Sequence, residues 1–235
     1  MQYVSRKARV KGFLEGECVI LGPSIIGPKS LIGLHVVVGY PVRNKIHRLR
    51  FSKDFGIEEF DRISAGAQIG GSCIIRSGTV IYESVKLGDW VETGHNVLIR
   101  EGSTIGDKTR IGSGSQLDGT VKVGKNVRIQ SNVYLPHLTA IEDDVFLGPN
   151  VVITNDPYPP SKRRQGMVVE KGATIAADAC IVVPARVGKG SIVGAGSVVT
   201  KDVPPGIVVL GAPARPYITR EEYDKKRAHW EKGAK

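Results

Sequence analysis

The chain has 235 residues, a net charge of +10 and 29 glycines, with few aromatic residues. That balance fits a globular protein rich in tight turns and argues against a disordered chain. No run of about 18 apolar residues occurs, so no membrane span is expected. The opening MQYVSRKARV lacks the apolar core of a signal peptide, which leads us to expect a cytoplasmic protein.

The positive charge favours anionic partners, because such a field attracts phosphates at long range. Nucleic acid is not expected: the aromatics are not interleaved with basic residues as stacking platforms, and no DNA-binding motif occurs. Cys18, Cys73 and Cys180 are widely separated and in no metal-ligand spacing. They read as reduced core residues, and no metal is expected.

In chain order, an aliphatic beat of six residues begins with Leu14, Ile20, Ile26, Ile32 and Val38. It fails over about 39–68, a basic excursion carrying Arg43, Lys45, His47, Arg48, Arg50 and Lys53. From Ile69 to Ile153 it holds for fifteen hexads, with only Thr93 not aliphatic. The fifth position of each hexad is small or β-branched (Cys73, Thr79, Val85, Val91), and glycine follows many of the aliphatic residues, close to where the chain must bend. A helix cannot hold this pattern on one face, because its period is 3.6. Short strands joined by turns can. Three hexads make one triangular coil, and coils stack about 4.8 Å apart. The architecture is therefore all-β, a parallel β-helix built of hexapeptide repeats.

A second excursion, about 154–168, opens with Asn155-Asp156 and carries Lys162, Arg163 and Arg164. The beat resumes from Val169 to Val199. The tail starts T-R-E-E at Thr219, a capping box, and predicts a short helix over 219–235. Residues 1–218 thus read as one β-helix domain with two protruding loops. Spacing alone does not fix the hand of the coil.

The segment GAGSVVTKDVPPGIVVLGAPAR (194–215) is similar to the C-terminal signature of the hexapeptide-repeat acyltransferases. The stretch 127–161, with its IQSNV, EDDVFLGPN and TND elements, most resembles N-acetyltransferases acting on dTDP- or UDP-linked amino sugars. That resemblance implies a left-handed β-helix, a homotrimer, acetyl-CoA as acyl donor and a nucleotide-sugar acceptor. It also implies cofactor contacts: Ala177 and Ala195 beside the pantetheine arm, Thr200 and Lys201 at the nucleotide end, and Arg215 near the same phosphates.

Catalytic candidates follow from the eighteen-residue coil. Counting back from Asn155 gives His137, Gly119 and Glu101. His137 and Asn155 should lie about 5 Å apart on one outer edge, beside a gap left by Gly119. An amine acceptor must be neutral to attack a thioester, and histidine is the side chain suited to take its proton near neutral pH. His137 is the candidate base, with Asn155 and Asp156 orienting the amine. Members of the resembling type often lack a histidine there, and then substrate or the leaving thiolate takes the proton. His95 is seven hexads from His137 and so belongs to another face. Three other readings stand beside this one. An O-acetyltransferase usually carries a histidine where Asn155-Asp156 stand. A zinc hydratase of the γ-carbonic anhydrase type needs two histidines five residues apart, a spacing not found here. A non-catalytic scaffold would not require the coenzyme A signature.

Overall fold

The computed structural model describes residues 2–49, 55–163 and 165–233. Arg50, Lys53 and Arg164 of the two basic excursions lie outside the described residues. The chain winds as a left-handed parallel β-helix of about eleven turns. Among the described residues it has twenty-nine short strands, most of two residues, and three helices.

Every third strand returns to the same sheet, which gives three sheets of ten, eight and eleven strands, called here sheets 1, 2 and 3. Sheet 1 starts at Tyr3–Val4, sheet 2 at Arg9–Val10, and sheet 3 at Phe13–Leu14. In plain coils the register steps by eighteen, as in Val80↔Leu98 and Leu98↔Gln116.

The aliphatic beat fills the interior. Ile75, Ile81, Ile99, Ile111, Leu117 and Leu135 are all within 2% of full burial. Thr93, the exception to the beat, is fully buried too, and its hydroxyl accepts from the Arg76 N–H at 3.1 Å and meets Thr79 Oγ1 at 3.3 Å. Its polar atom is therefore satisfied rather than orphaned.

The glycines that follow the aliphatic residues serve close approach more than bending. A Cβ on Gly106 would stand 2.6 Å from the Gly124 carbonyl carbon one coil on. The turn itself is made two residues later by left-handed residues such as Lys108 and Asn126, at φ +59° and +54°. Asparagine tolerates that conformation better than most side chains.

Both excursions leave sheet 1 and re-enter at sheet 2, so they rise from the same edge of the prism. Val37 pairs with Val80, 43 residues on, where plain coils step by 18, so the first excursion adds 25 residues. It is not bare loop. It carries α1 (Arg43–Ile46) and α2 (Ile57–Ile63). Glu83, 3% exposed, fixes it to the coils by accepting from Lys45 Nζ at 2.7 Å and from the Val42 N–H at 3.1 Å. Glu83 is buried while Lys45 is partly open to solvent, so removing Lys45 would leave a buried carboxylate without its charged partner. The second excursion adds ten residues, since Ala140 pairs with Val168 at a step of 28.

Two expectations need correction. Cys18 and Cys73 are buried, but Cys180 is half-buried on the outer face of sheet 1, because Ala179 and Ile181 take the inward positions. The last turn is also short: Ile192 pairs with Val208 at a step of 16. The signature segment then folds back as an antiparallel hairpin, Ile207–Leu210 against Arg215–Thr219. The helix α3 (Arg220–Gly233) follows with its capping box formed. Thr219 N–H donates to Glu222 Oε2 at 2.8 Å, and Glu222 N–H donates to Thr219 Oγ1 at 3.2 Å.

Candidate active site on the seam between sheets 1 and 2

Between the two excursions, four plain turns run along the edge that joins sheets 1 and 2. Tyr82, Arg100, Asp118 and Pro136 occupy one column of it, and Glu83, Glu101, Gly119 and His137 the next. Parallel pairing Tyr134↔Val152 carries the eighteen-residue step into the following coil. Asn155 is thus the successor of His137 on this edge, where the second excursion departs.

The His137 ring lies over Gly119. A Cβ on Gly119 would stand 2.8 Å from His137 Cε1 and 2.9 Å from Nδ1. Asp118 faces the ring on its other side: His137 Nε2 is 3.4 Å from Asp118 Oδ2, and the side chains are 17% and 22% exposed. The same Asp118 oxygen accepts from Tyr134 OH at 3.3 Å, and its second oxygen is bonded to Arg100 Nη1. Arg100 also grips Glu101 through Nη2 at 2.9 Å and stacks over Tyr82, 5.7 Å from the ring centroid. Burial opposes the Arg100 charge, but the Asp118 and Glu101 carboxylates outweigh it and its pKa is raised. The guanidinium stays charged, and Asp118 is fixed by an ion pair on one side while it faces the imidazole on the other. In the tautomer that carries its proton on Nε2, beside Asp118, a neutral His137 presents Nδ1 as its acceptor.

Asp156 is placed differently from the sequence expectation. Its Oδ1 accepts from the Tyr158 N–H at 2.8 Å and its Oδ2 from the Ser161 N–H, so the carboxylate ties the excursion together. Asn155 is half-buried at the base of that loop.

The cofactor candidates fall in two places. Lys201 and Arg215 line one cavity of about 300 Å³ with Asp202, Pro204, Val209 and Ala214, where the hairpin folds over the last coil. Thr200 is exposed at its border. Lys201 stands on the His137 edge, because Ile153 pairs with Ile181 and Ile181 with Val199, so that Asn155, Val183 and Lys201 follow in one column. Ala177 and Ala195 stack on one another, the Gly196 N–H reaching the Ala177 carbonyl at 2.9 Å, but on the edge between sheets 3 and 1. His95 lies in that same column, its Nδ1 2.7 Å from Ser77 Oγ. A single chain therefore brings together His137, Asn155 and Lys201 along one edge, and sets Ala177 and Ala195 on another.

Sequence reasoning missed Asp118, Arg100 and Tyr134. A signal was there: Arg100 and Asp118 are opposite charges one full coil apart, a spacing that the hexad count makes adjacent.

Residues 102–137 match a family model described as bacterial transferase hexapeptide (six repeats), and 166–201 match the hexapeptide repeat of succinyl-transferase. Together these matches take in under a third of the chain, and both are to hexapeptide-repeat models. The 2,3,4,5-tetrahydropyridine-2,6-dicarboxylate N-acetyltransferase of Clostridium perfringens is 44% identical over 69 residues, which are 29% of this chain and 28% of that protein. The bifunctional protein GlmU of Rubrobacter xylanophilus is 38% identical over 74 residues, 29% of this chain and 16% of its own. The chain thus covers less than a third of either relative's length. Among solved structures, the UDP-N-acetylglucosamine O-acyltransferase LpxA of Moraxella catarrhalis shares the fold. Its TM-score is 0.58 at 19% identity, with 95% of this chain and 77% of that one covered.

Proposed function

We propose that this chain is an acetyl-CoA-dependent N-acetyltransferase whose acceptor is the amino group of a dTDP- or UDP-linked sugar. The observation that carries it is the His137–Asp118 pair, set over Gly119 at the foot of the Asn155 excursion. Acyl transfer to an amine needs a base aimed at the attacking nitrogen and donors for the developing oxyanion. His137 Nδ1 is the acceptor for the amine proton. Asp118 holds the ring and stabilises it once charged. The Asn155 amide stands one coil away to orient the acceptor, while Asp156 acts by shaping the loop beneath it. The Clostridium perfringens relative, an N-acetyltransferase, supports the reaction type.

Acetyl-CoA supplies the acyl group as a thioester. The last coil has the residues to hold it: Lys201 and Arg215 flank one cavity as phosphate donors, and Ala195 and Gly196 leave the neighbouring edge open, nothing lying within 4 Å of a Cβ on Gly196. Since Ala195 and Lys201 lie on different edges of one prism, a cofactor touching both kinds of contact is best served between two copies. The outer face of sheet 1 offers such a contact. Val19, Val37, Val80, Leu98, Val152 and Val198 point outward along it, interrupted by Gln116. Sheet 2 instead turns Arg9, Lys86 and Lys122 outward. We place the homotrimer interface on sheet 1, where burial of those side chains drives association.

A hydroxyl acceptor is the second reading. An alcohol needs a base more than an amine does, and the His137–Asp118 pair supplies one. Thiol release measured with a panel of dTDP- and UDP-amino sugars and their hydroxyl counterparts tests both, with the mass of the assembly measured in solution alongside. Turnover confined to the amino sugars by a trimer is the expected result. Turnover with the hydroxyl sugars alone would favour the second reading, and acyl transfer by a monomer would remove the interface from the mechanism.

A further inference from the structure

Away from the seam, a groove of about 500 Å³ runs along the edge joining sheets 2 and 3. Its walls are two neighbouring columns. Trp90, Lys108 and Asn126 stack on the edge, each N–H reaching the coil below at 2.9–3.0 Å. Glu92, Arg110 and Arg128 stack beside them on the outer face of sheet 3, in parallel register.

Three features of this groove are unlike the rest of the coil. The first is Trp90, which sits at φ +61° with its side chain 60% exposed. The turn demands a left-handed residue at each step of this column, and its other members include Lys29, Ser72, Lys108, Asn126, Asp144 and Gly172. A bulky side chain is a poor occupant of that conformation. Fold alone does not account for an exposed indole there.

The second is charge. Arg110 and Arg128 are direct ladder neighbours, and like charges so placed repel. Glu92 answers Arg110, with Nε to Oε1 at 3.6 Å, but among the described residues no carboxylate oxygen comes within 4 Å of the Arg128 or Lys108 charge, although Asp107 lies close enough to Lys108 to feel it. Arg128 lies instead over the Phe146 ring, 5.4 Å from its centroid. Three cations against one carboxylate leave the groove about two positive charges in excess.

The third is length. From the Trp90 turn to Arg128 is two coil spacings, about 10 Å, the reach of a base and its diphosphate. An exposed indole offers a stacking face for a planar base, and the stacked cations offer charge-assisted hydrogen bonds to phosphate oxygens.

We propose that this groove binds a nucleoside phosphate, its base stacked on Trp90 and its phosphates held by Lys108, Arg110 and Arg128. It stands on these residues and not on the acyl-transfer reading of the seam.

The test is indole fluorescence of the full chain carrying Trp230→Phe, which leaves Trp90 as the sole tryptophan. Titration with UDP, UDP-glucose and CoA should give saturable quenching by at least one of them, weakened by salt. Lys108→Gln or Arg128→Gln should weaken it about tenfold. Quenching by UDP and UDP-glucose assigns the groove to the acceptor's nucleotide, and quenching by CoA alone to the donor's adenosine phosphate. No saturable quenching, or quenching indifferent to both substitutions, overturns the proposal. So does a Trp90 shielded from acrylamide in the assembled protein, with Trp90→Ala dissociating it, because the groove would then be a contact between copies. Quenching retained in His137→Asn while acyl transfer is lost keeps the two sites distinct.

Discussion

The imidazole of His137 occupies the space where a side chain on Gly119 would stand: a Cβ there would come within 2.8 Å of the ring. One coil thus provides the seat for the next. The relationship depends on an absence, and on Asp118, the residue before that absence, which meets the ring at Nε2.

Gly119→Ala should therefore act on His137 before it acts on the fold. Gly119 is at φ +78°, so alanine adds about 1–2 kcal/mol of backbone strain. The new methyl also pushes the ring off its seat. The expected result is a small fall in melting temperature with a larger fall in kcat. A variant with unchanged kcat would show that the ring position is immaterial.

Lys201 and Arg215 should serve donor binding and not chemistry. They line one cavity at the last coil, where a charge-assisted hydrogen bond is worth about 1.5–3 kcal/mol. Replacing either by alanine is expected to raise the KM for the acyl donor about tenfold or more and leave kcat nearly unchanged. Steady-state kinetics with varied donor concentration separates the two, and a fall in kcat at saturating donor would move these residues into the reaction itself.

The capping box should make α3 sensitive to acid. The Thr219 backbone N–H, then its hydroxyl, hold the Glu222 carboxyl below its ordinary pKa. A carboxylate with a depressed folded value adds stability above its unfolded pKa, and that contribution is lost as pH falls through the folded one. The helical circular-dichroism signal should fall in mild acid before the β-helix melts. Thr219→Ala, which keeps the backbone N–H, should weaken the helix and shrink that pH step, and Glu222→Gln should abolish it. A helical signal that tracks the strands throughout would contradict this.

Much of the fold was legible because the coil repeats. Fifteen hexads from Ile69 to Ile153 name the inward residues directly, and the failures of the beat locate both excursions. The capping box at Thr219 was likewise readable, being a local pattern. What escaped was whatever the repeat does not dictate. α1 and α2 lie in an insertion with no period, and the anchor Glu83 is distant in sequence from the Lys45 it holds. Cys180 looked like core by residue type, but alternation along its strand points it outward. At the seam, the eighteen-residue count gave the neighbours of His137 in its own column. Asp118 belongs to the adjacent column, and only side-chain direction brings it to Nε2. Asp156 reads by type as a partner for the amine, while the backbone of its own loop claims both oxygens. Trp90 and the stacked Arg110 and Arg128 drew no notice, since each alone looks like an ordinary surface residue.

The most direct measurement is acyl transfer by His137→Asn beside Asp118→Asn, followed by thiol release across pH 5–9 with saturating donor. If His137 takes the proton and Asp118 holds it, His137→Asn falls by about 10²–10⁴-fold. Asp118→Asn falls less, and its pH profile moves from that of the unaltered chain. Full turnover by His137→Asn, with an unchanged pH profile in Asp118→Asn, would take the seam out of the chemistry.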